Sequence, residues 1–123
     1  MTIIEAHELG HYKVGQYYCM EPVLGEREVT FKATKYPSLE AWLVILVAGA
    51  VHERMQFPES CLMSGCGGDA RIVCNALHGN NEVAYAAALA CIVAGSNARL
   101  CIPQEHQDLL KAAVQTARDI LKE

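Results

Sequence analysis

The stretch AWLVILVAGAV, residues 41–51, constrains this chain more than any other. It continues as a helical pattern from about residue 39 to 55 and is apolar on most sides, so it belongs in the middle of a core. At this length it is too short to cross a bilayer, which needs about 20 apolar residues. In a chain of 123 residues, one such buried helix must be wrapped by the remaining elements. This predicts a single domain over residues 1–123, mainly α, with one modest core.

The flanking sequence supplies those elements. Thr2 and Glu5 stand in capping-box spacing, so a helix is expected from the start to about Tyr17 or Tyr18, with Ile4, His7, His11 and Val14 on one face. In EREVTFKATKY, Val29, Phe31 and Ala33 alternate with polar residues, which predicts a strand or hairpin after the punctuation of Pro22 and Gly25. Ser38 is placed to cap the central helix, and Phe57-Pro58 to end it. Further helices are expected from about Asp69 to Leu77, with Asp69 as N-cap, from Glu82 to Val93, and from Gln104 to Lys122 with Pro103 in its first turn. The last carries an apolar stripe of Leu109, Leu110, Ala113, Ala117, Ile120 and Leu121. The fold class is therefore mainly α, or α+β with a small strand or hairpin.

Within the first helix stands a His-Glu-x-x-His pentapeptide, His7 to His11. Residues four apart share a helix face, so the two imidazoles can meet on one metal ion, while Glu8 points aside and can reach water at the site. Zinc in such a setting acidifies water and polarises a carbonyl, and the glutamate carries the proton. Gly10, between the two histidines, would let another backbone segment come close, at a helix-propensity cost of about 1 kcal/mol. A zinc site needs at least one more protein ligand. No histidine follows at the spacing of the extended three-histidine motif, because Val14 and Tyr17 occupy those positions. His52, Glu53, Asp69, His78 and His106 all remain candidates. Cys66 is read as a small loop residue, although a thiolate there would also bind zinc.

Three segments in order, HELGH, AGAVHERM and GCGGDARIV, resemble the peptidase domain of the FtsH family of ATP-dependent zinc metalloproteases. That family has His-Glu-Ala-Gly-His, then Gly-Gly-x-x-Ala-Glu-Glu, then Gly-Ala-Ser-Asn-Asp. The first motif differs here at Leu9, the second at His52 and Arg54, and the third keeps its ends, Gly65 and Asp69. The resemblance implies a compact, zincin-like metallopeptidase domain with His7, His11 and Asp69 as zinc ligands and Glu8 as catalytic base. It places Gly49 and Glu53 on the middle motif, with Glu53 near the site, either behind the ligands or as a rival third ligand, a role also open to His52. It further implies a peptide or unfolded protein as substrate, added to an edge strand near residues 29–33. No segment has the Gly-x-x-x-x-Gly-Lys-Ser/Thr pattern of a phosphate-binding loop, so a stand-alone peptidase is expected, with substrate delivered unfolded or by a partner ATPase or regulator.

Composition narrows the partners. A net charge of −4 without a basic cluster argues against nucleic acid. The absence of a signal-peptide pattern and the placement of several of the six cysteines in apolar stretches predict reduced thiols, a cytoplasmic location and no membrane anchor. Two other readings stay open: a zinc-binding regulatory or interaction domain with little or no activity, or a cytoplasmic metalloprotease that cleaves repressors. A metal-free helical interaction domain is the third. Oligomeric state is not legible.

Overall fold

The computed structural model describes residues 1–61 and 66–123, with Cys66 described by its backbone alone. Among the described residues, five helices surround one core and a two-stranded antiparallel hairpin lies to one side: α1 Ile3–Tyr17, β1 Pro22–Leu24, β2 Val29–Phe31, α2 Leu39–Gln56, α3 Cys66–Ala76, α4 Glu82–Ala94 and α5 Gln104–Leu121. The chain is thus mainly α with a small β component.

The apolar helix α2 takes the centre. Every residue from Leu43 to Glu53 is buried. It packs most extensively against α1 and α5, and also against α3 and α4, while α3 packs on α4 and the hairpin lies along α1. Removing such apolar surface from water is the main stabilising term, about 1.5–3 kcal/mol for each large side chain fully buried. α5 contributes Leu110, Ala113, Val114, Ala117 and Leu121, most of the apolar stripe expected of it.

Local chemistry sets the helix ends. Thr2 accepts a hydrogen bond from the Glu5 amide, Ser38 from the Ala41 amide and Asn81 from the Ala84 amide, each meeting one of the donors a helix start leaves unpaired. Gly95 ends α4 at φ 73°, a left-handed conformation that glycine adopts without strain.

The hairpin expected around residues 29–33 forms, and three other expectations need correction. Pro22 is not a mere break: it opens β1 and pairs with Phe31. Proline is tolerated there as the first residue of an edge strand, and three residues leave no alternation to read. Asp69 is not an N-cap, because α3 begins at Cys66 and takes Gly67 and Gly68 into its first turn. A Cβ on either of those glycines would meet nothing among the described residues; Gly65 lies outside them. Finally, Ile4 does not share the buried face of α1: it is exposed, and Ala6, Gly10 and Gly15 line that face with the histidines instead.

The crossing of α1 and α2 depends on two glycines. A Cβ at Gly10 would run into the Ala48 carbonyl and sit 2.6 Å from the His52 Cβ. A Cβ at Gly49 would run into His11 Nε2 and sit 2.6 Å from His7 Nε2. The two backbones therefore lie closer than side chains would permit, and α2 brings its glycine directly beneath the two imidazoles.

Candidate metal centre

His7 and His11 are one turn apart on α1, facing α2, and both are buried. Asp69 enters from the first turn of α3, so the group joins elements separated by some sixty residues of sequence. His7 Nε2 lies 2.7 Å and His11 Nε2 3.0 Å from the same oxygen, Asp69 Oδ2. The two Nε2 atoms are 3.2 Å apart, close to the roughly 3.3 Å edge of a tetrahedron with zinc–nitrogen bonds of about 2.0–2.1 Å. Among the described residues these three form the group able to hold a metal ion.

The opposite ring atoms decide what these nitrogens can do. His11 Nδ1 lies 2.8 Å from the Ile45 carbonyl oxygen. A carbonyl only accepts, so His11 Nδ1 carries the proton and donates. His7 Nδ1 lies 3.0 Å from Glu53 Oε1 and donates to that carboxylate in the same way. In the neutral rings both Nε2 atoms are then bare lone pairs. Two lone pairs and a carboxylate oxygen converge on one point, and none of the three has a proton to offer the others. A divalent cation resolves this arrangement, and imidazole nitrogens with a carboxylate oxygen are the donor types zinc takes. Three protein donors leave a fourth position for water or substrate.

In the metal-free protein a proton on His11 can take the place of a cation between these groups. Burial disfavours charge on His11, but the Asp69 carboxylate and the Ile45 carbonyl outweigh it and hold the His11 pKa above its ordinary value. Burial likewise pushes Asp69 up, yet the two histidines prevail and hold it below the usual carboxylate range. Glu8 lines a cleft of about 470 Å³ together with His11 and Asp69. Its carboxyl is raised by burial, and by Asp69 and Glu28, against the pull of His11 and His7. A carboxylate shifted upward takes up a proton more readily, as a group that accepts and returns one must.

The remaining candidates fall elsewhere. Glu53, fully buried, stands behind His7 rather than beside Asp69, and its other oxygen accepts from the Ser60 hydroxyl. His52 turns its Nδ1 to the Ala6 carbonyl at 2.6 Å. Neither joins the cluster as a rival ligand. His106 bonds to the Tyr85 hydroxyl, and His78 is exposed at φ 57°. Cys19, Cys61, Cys74, Cys91 and Cys101 are free thiols; the Cys66 side chain lies outside the described residues.

Two contributors escaped the sequence reading, Ser60 and the Ile45 carbonyl. Ser60 anchors Glu53, and Arg54 donates to the Ser60 carbonyl, tying the exit of α2 to the site. A backbone carbonyl has no residue-type signal, and a lone serine in a loop carries none either. Among the described residues no helix is long and apolar enough to cross a membrane. Comparison with protein-family models, with curated proteins and with solved structures finds no match to this chain.

Proposed function

We propose that the chain is a zinc-dependent metallopeptidase acting on extended or unfolded peptide, with His7, His11 and Asp69 as ligands and Glu8 as the base. The observation that carries this reading is the convergence of two imidazole Nε2 atoms and one carboxylate oxygen beside a glutamate that lines the same cleft. A bound zinc ion would supply Lewis acidity, acidifying water and polarising the scissile carbonyl.

The chain's own residues do the rest. Glu8 accepts the proton of the attacking water and passes it to the departing amine. Glu53 and the Ile45 carbonyl hold the two imidazoles in the tautomer that presents Nε2. β2 borders the cleft with Val29 and Phe31. Its partner β1 uses one edge only, through Gly25 to Glu28, Val23 to Thr30 and Glu21 to Lys32, so by alternation the peptide groups of Val29 and Phe31 point away from β1. An extended substrate can pair with that edge as an added strand.

Zinc content and cleavage of an unfolded protein test the reading. Wild type should hold about one zinc per chain, Asp69→Ala should lose it, and Glu8→Gln should keep it while hydrolysis falls by about 10²–10⁴-fold. Zinc retained by Asp69→Ala would overturn the ligand set. Zinc without cleavage would leave a zinc-binding interaction domain, and no zinc in wild type would leave a helical binding domain.

A further inference from the structure

The cleft that holds Glu8 and Asp69 does not end at the metal ligands. It shares Phe31 and Trp42 with a larger pocket of about 810 Å³. These two rings meet edge to face, centroids 6.1 Å apart, and form a common wall between the two spaces. Each bordering element runs from one space into the other with its own periodicity. On α3, Asp69 and Ile72 line the metal end and Ala76 the far end, the i, i+3, i+7 spacing of one helix face. On α2, Ile45 and Leu46 give way through Trp42 to Leu39. Along β2 and beyond, Val29 gives way through Phe31 to Ala33 and Tyr36. The far pocket is largely apolar, and Tyr36 at its border is 94 % exposed, an aromatic ring left available for contact. Lys35 is the one charged residue that lines it.

From Asp69 to Ala76 is seven residues of helix, about 10.5 Å at 1.5 Å per residue. An extended peptide covers that distance in about three residues. We infer that this pocket receives a large apolar side chain, aromatic or leucine-like, about three residues from the scissile bond of a peptide laid along β2. The inference rests on the metallopeptidase reading above and adds the substrate class to it. Adjacency to the cleft of Glu8 and Asp69, with Phe31 and Trp42 lining both spaces, is what assigns the pocket to substrate. A peptide paired with the free edge of β2 is carried along the strand directly to it, and the Phe31–Trp42 wall separates this side chain from the reacting bond. Specificity then lies away from the chemistry, so residues next to the cut are read weakly and the apolar residue sets the register.

The experiment uses labelled decapeptides of Ser, Thr and Gly carrying a single Phe at each position in turn, with a Phe-free peptide for comparison. Cut sites are mapped by mass spectrometry with zinc-loaded wild type, and binding is read by fluorescence anisotropy with zinc-loaded Glu8→Gln. The expected result is cleavage that follows Phe at about three residues' distance, and binding roughly tenfold or more tighter than to the Phe-free peptide. That gain should vanish when Ala76→Phe fills the pocket, and shrink when Tyr36→Ser removes the exposed ring. If Ala76→Phe fails to fold, Tyr36→Ser, at an exposed position, carries the test. Cuts placed without regard to Phe, cuts adjacent to it, or a binding gain that survives the variants would overturn the inference while leaving the peptidase standing. No cleavage of any peptide by zinc-loaded wild type would sink the peptidase reading, and the inference with it.

Discussion

Two residues outside the ligand set govern the metal pair. Gly49 leaves no room for a methyl group beneath the imidazoles. Gly49→Ala must therefore push the rings apart or displace α1, at about 1–3 kcal/mol. Chelator competition should show zinc affinity down at least tenfold, roughly 1.4 kcal/mol; unchanged affinity would mean that the rings are free to move. Ser60 acts at one remove, through Glu53 and then His7. Ser60→Ala should weaken zinc binding by less than the roughly 10–100-fold expected on removing the ligand's own partner Glu53, and by more than its effect on the stability of the metal-free protein accounts for. An equal loss of stability in both forms would mark the serine as structural only. The histidine pair was legible because a helix repeats every 3.6 residues, so spacing alone puts His7 and His11 on one face. Asp69 was not legible from its own surroundings, which pointed to an N-cap, and Ser60 had no local signal.

At the scale of elements, the α1–α2 crossing is the joint on which the site depends. Gly10→Ala would drive a methyl group into the Ala48 carbonyl. Helix propensity alone would favour this change by about 1 kcal/mol, so the two effects oppose and the steric one should win. The expected outcome is a net destabilisation in denaturant titration; a stabilised variant would show that the helices part easily. Thr2→Ala tests a smaller effect at the same helix. Loss of the bond to the Glu5 amide should cost about 1 kcal/mol. Helices of eleven to eighteen residues were readable from caps and periodicity because each carries its own local signals. β2 was readable from the alternation of Val29 and Phe31, but β1 was not, since pairing with β2 rather than its own pattern makes it a strand.

For the whole molecule, a metal held by His7, His11 and Asp69 would couple to folding, because α1 and α3 supply these residues and the folded chain brings them together. Zinc held at a hundredfold excess over its dissociation constant should stabilise the protein by about 2.7 kcal/mol, and a chelator should remove that increment in a thermal melt. A melt unaffected by zinc would argue against the site. Acid has a separate effect through His52, whose pKa burial pushes below the ordinary 6.5, the Ala6 carbonyl opposing and Lys13 reinforcing. A histidine with a lowered folded-state pKa binds its proton more readily when unfolded. Its stabilising contribution is thus complete above pH 6.5 and is lost as pH falls through that value towards the folded pKa. His11 shifts the opposite way in the metal-free protein, so the comparison must isolate His52. In denaturant titrations of metal-free protein, wild type should exceed His52→Asn by more at pH 8 than at pH 5; a constant difference would refute the assignment.

By itself the sequence determined the buried central helix, the order of five helices and the pairing of His7 with His11, because these follow from interactions within a few residues. Only the tertiary structure decided that Asp69 reaches those histidines, that Glu53 stands behind His7 instead of beside it, and that His52 turns away. Each of these depends on where α2 and α3 lie relative to α1. That placement is set by close packing of the whole core, and above all by the absence of a Cβ at Gly10 and Gly49, which no single segment encodes.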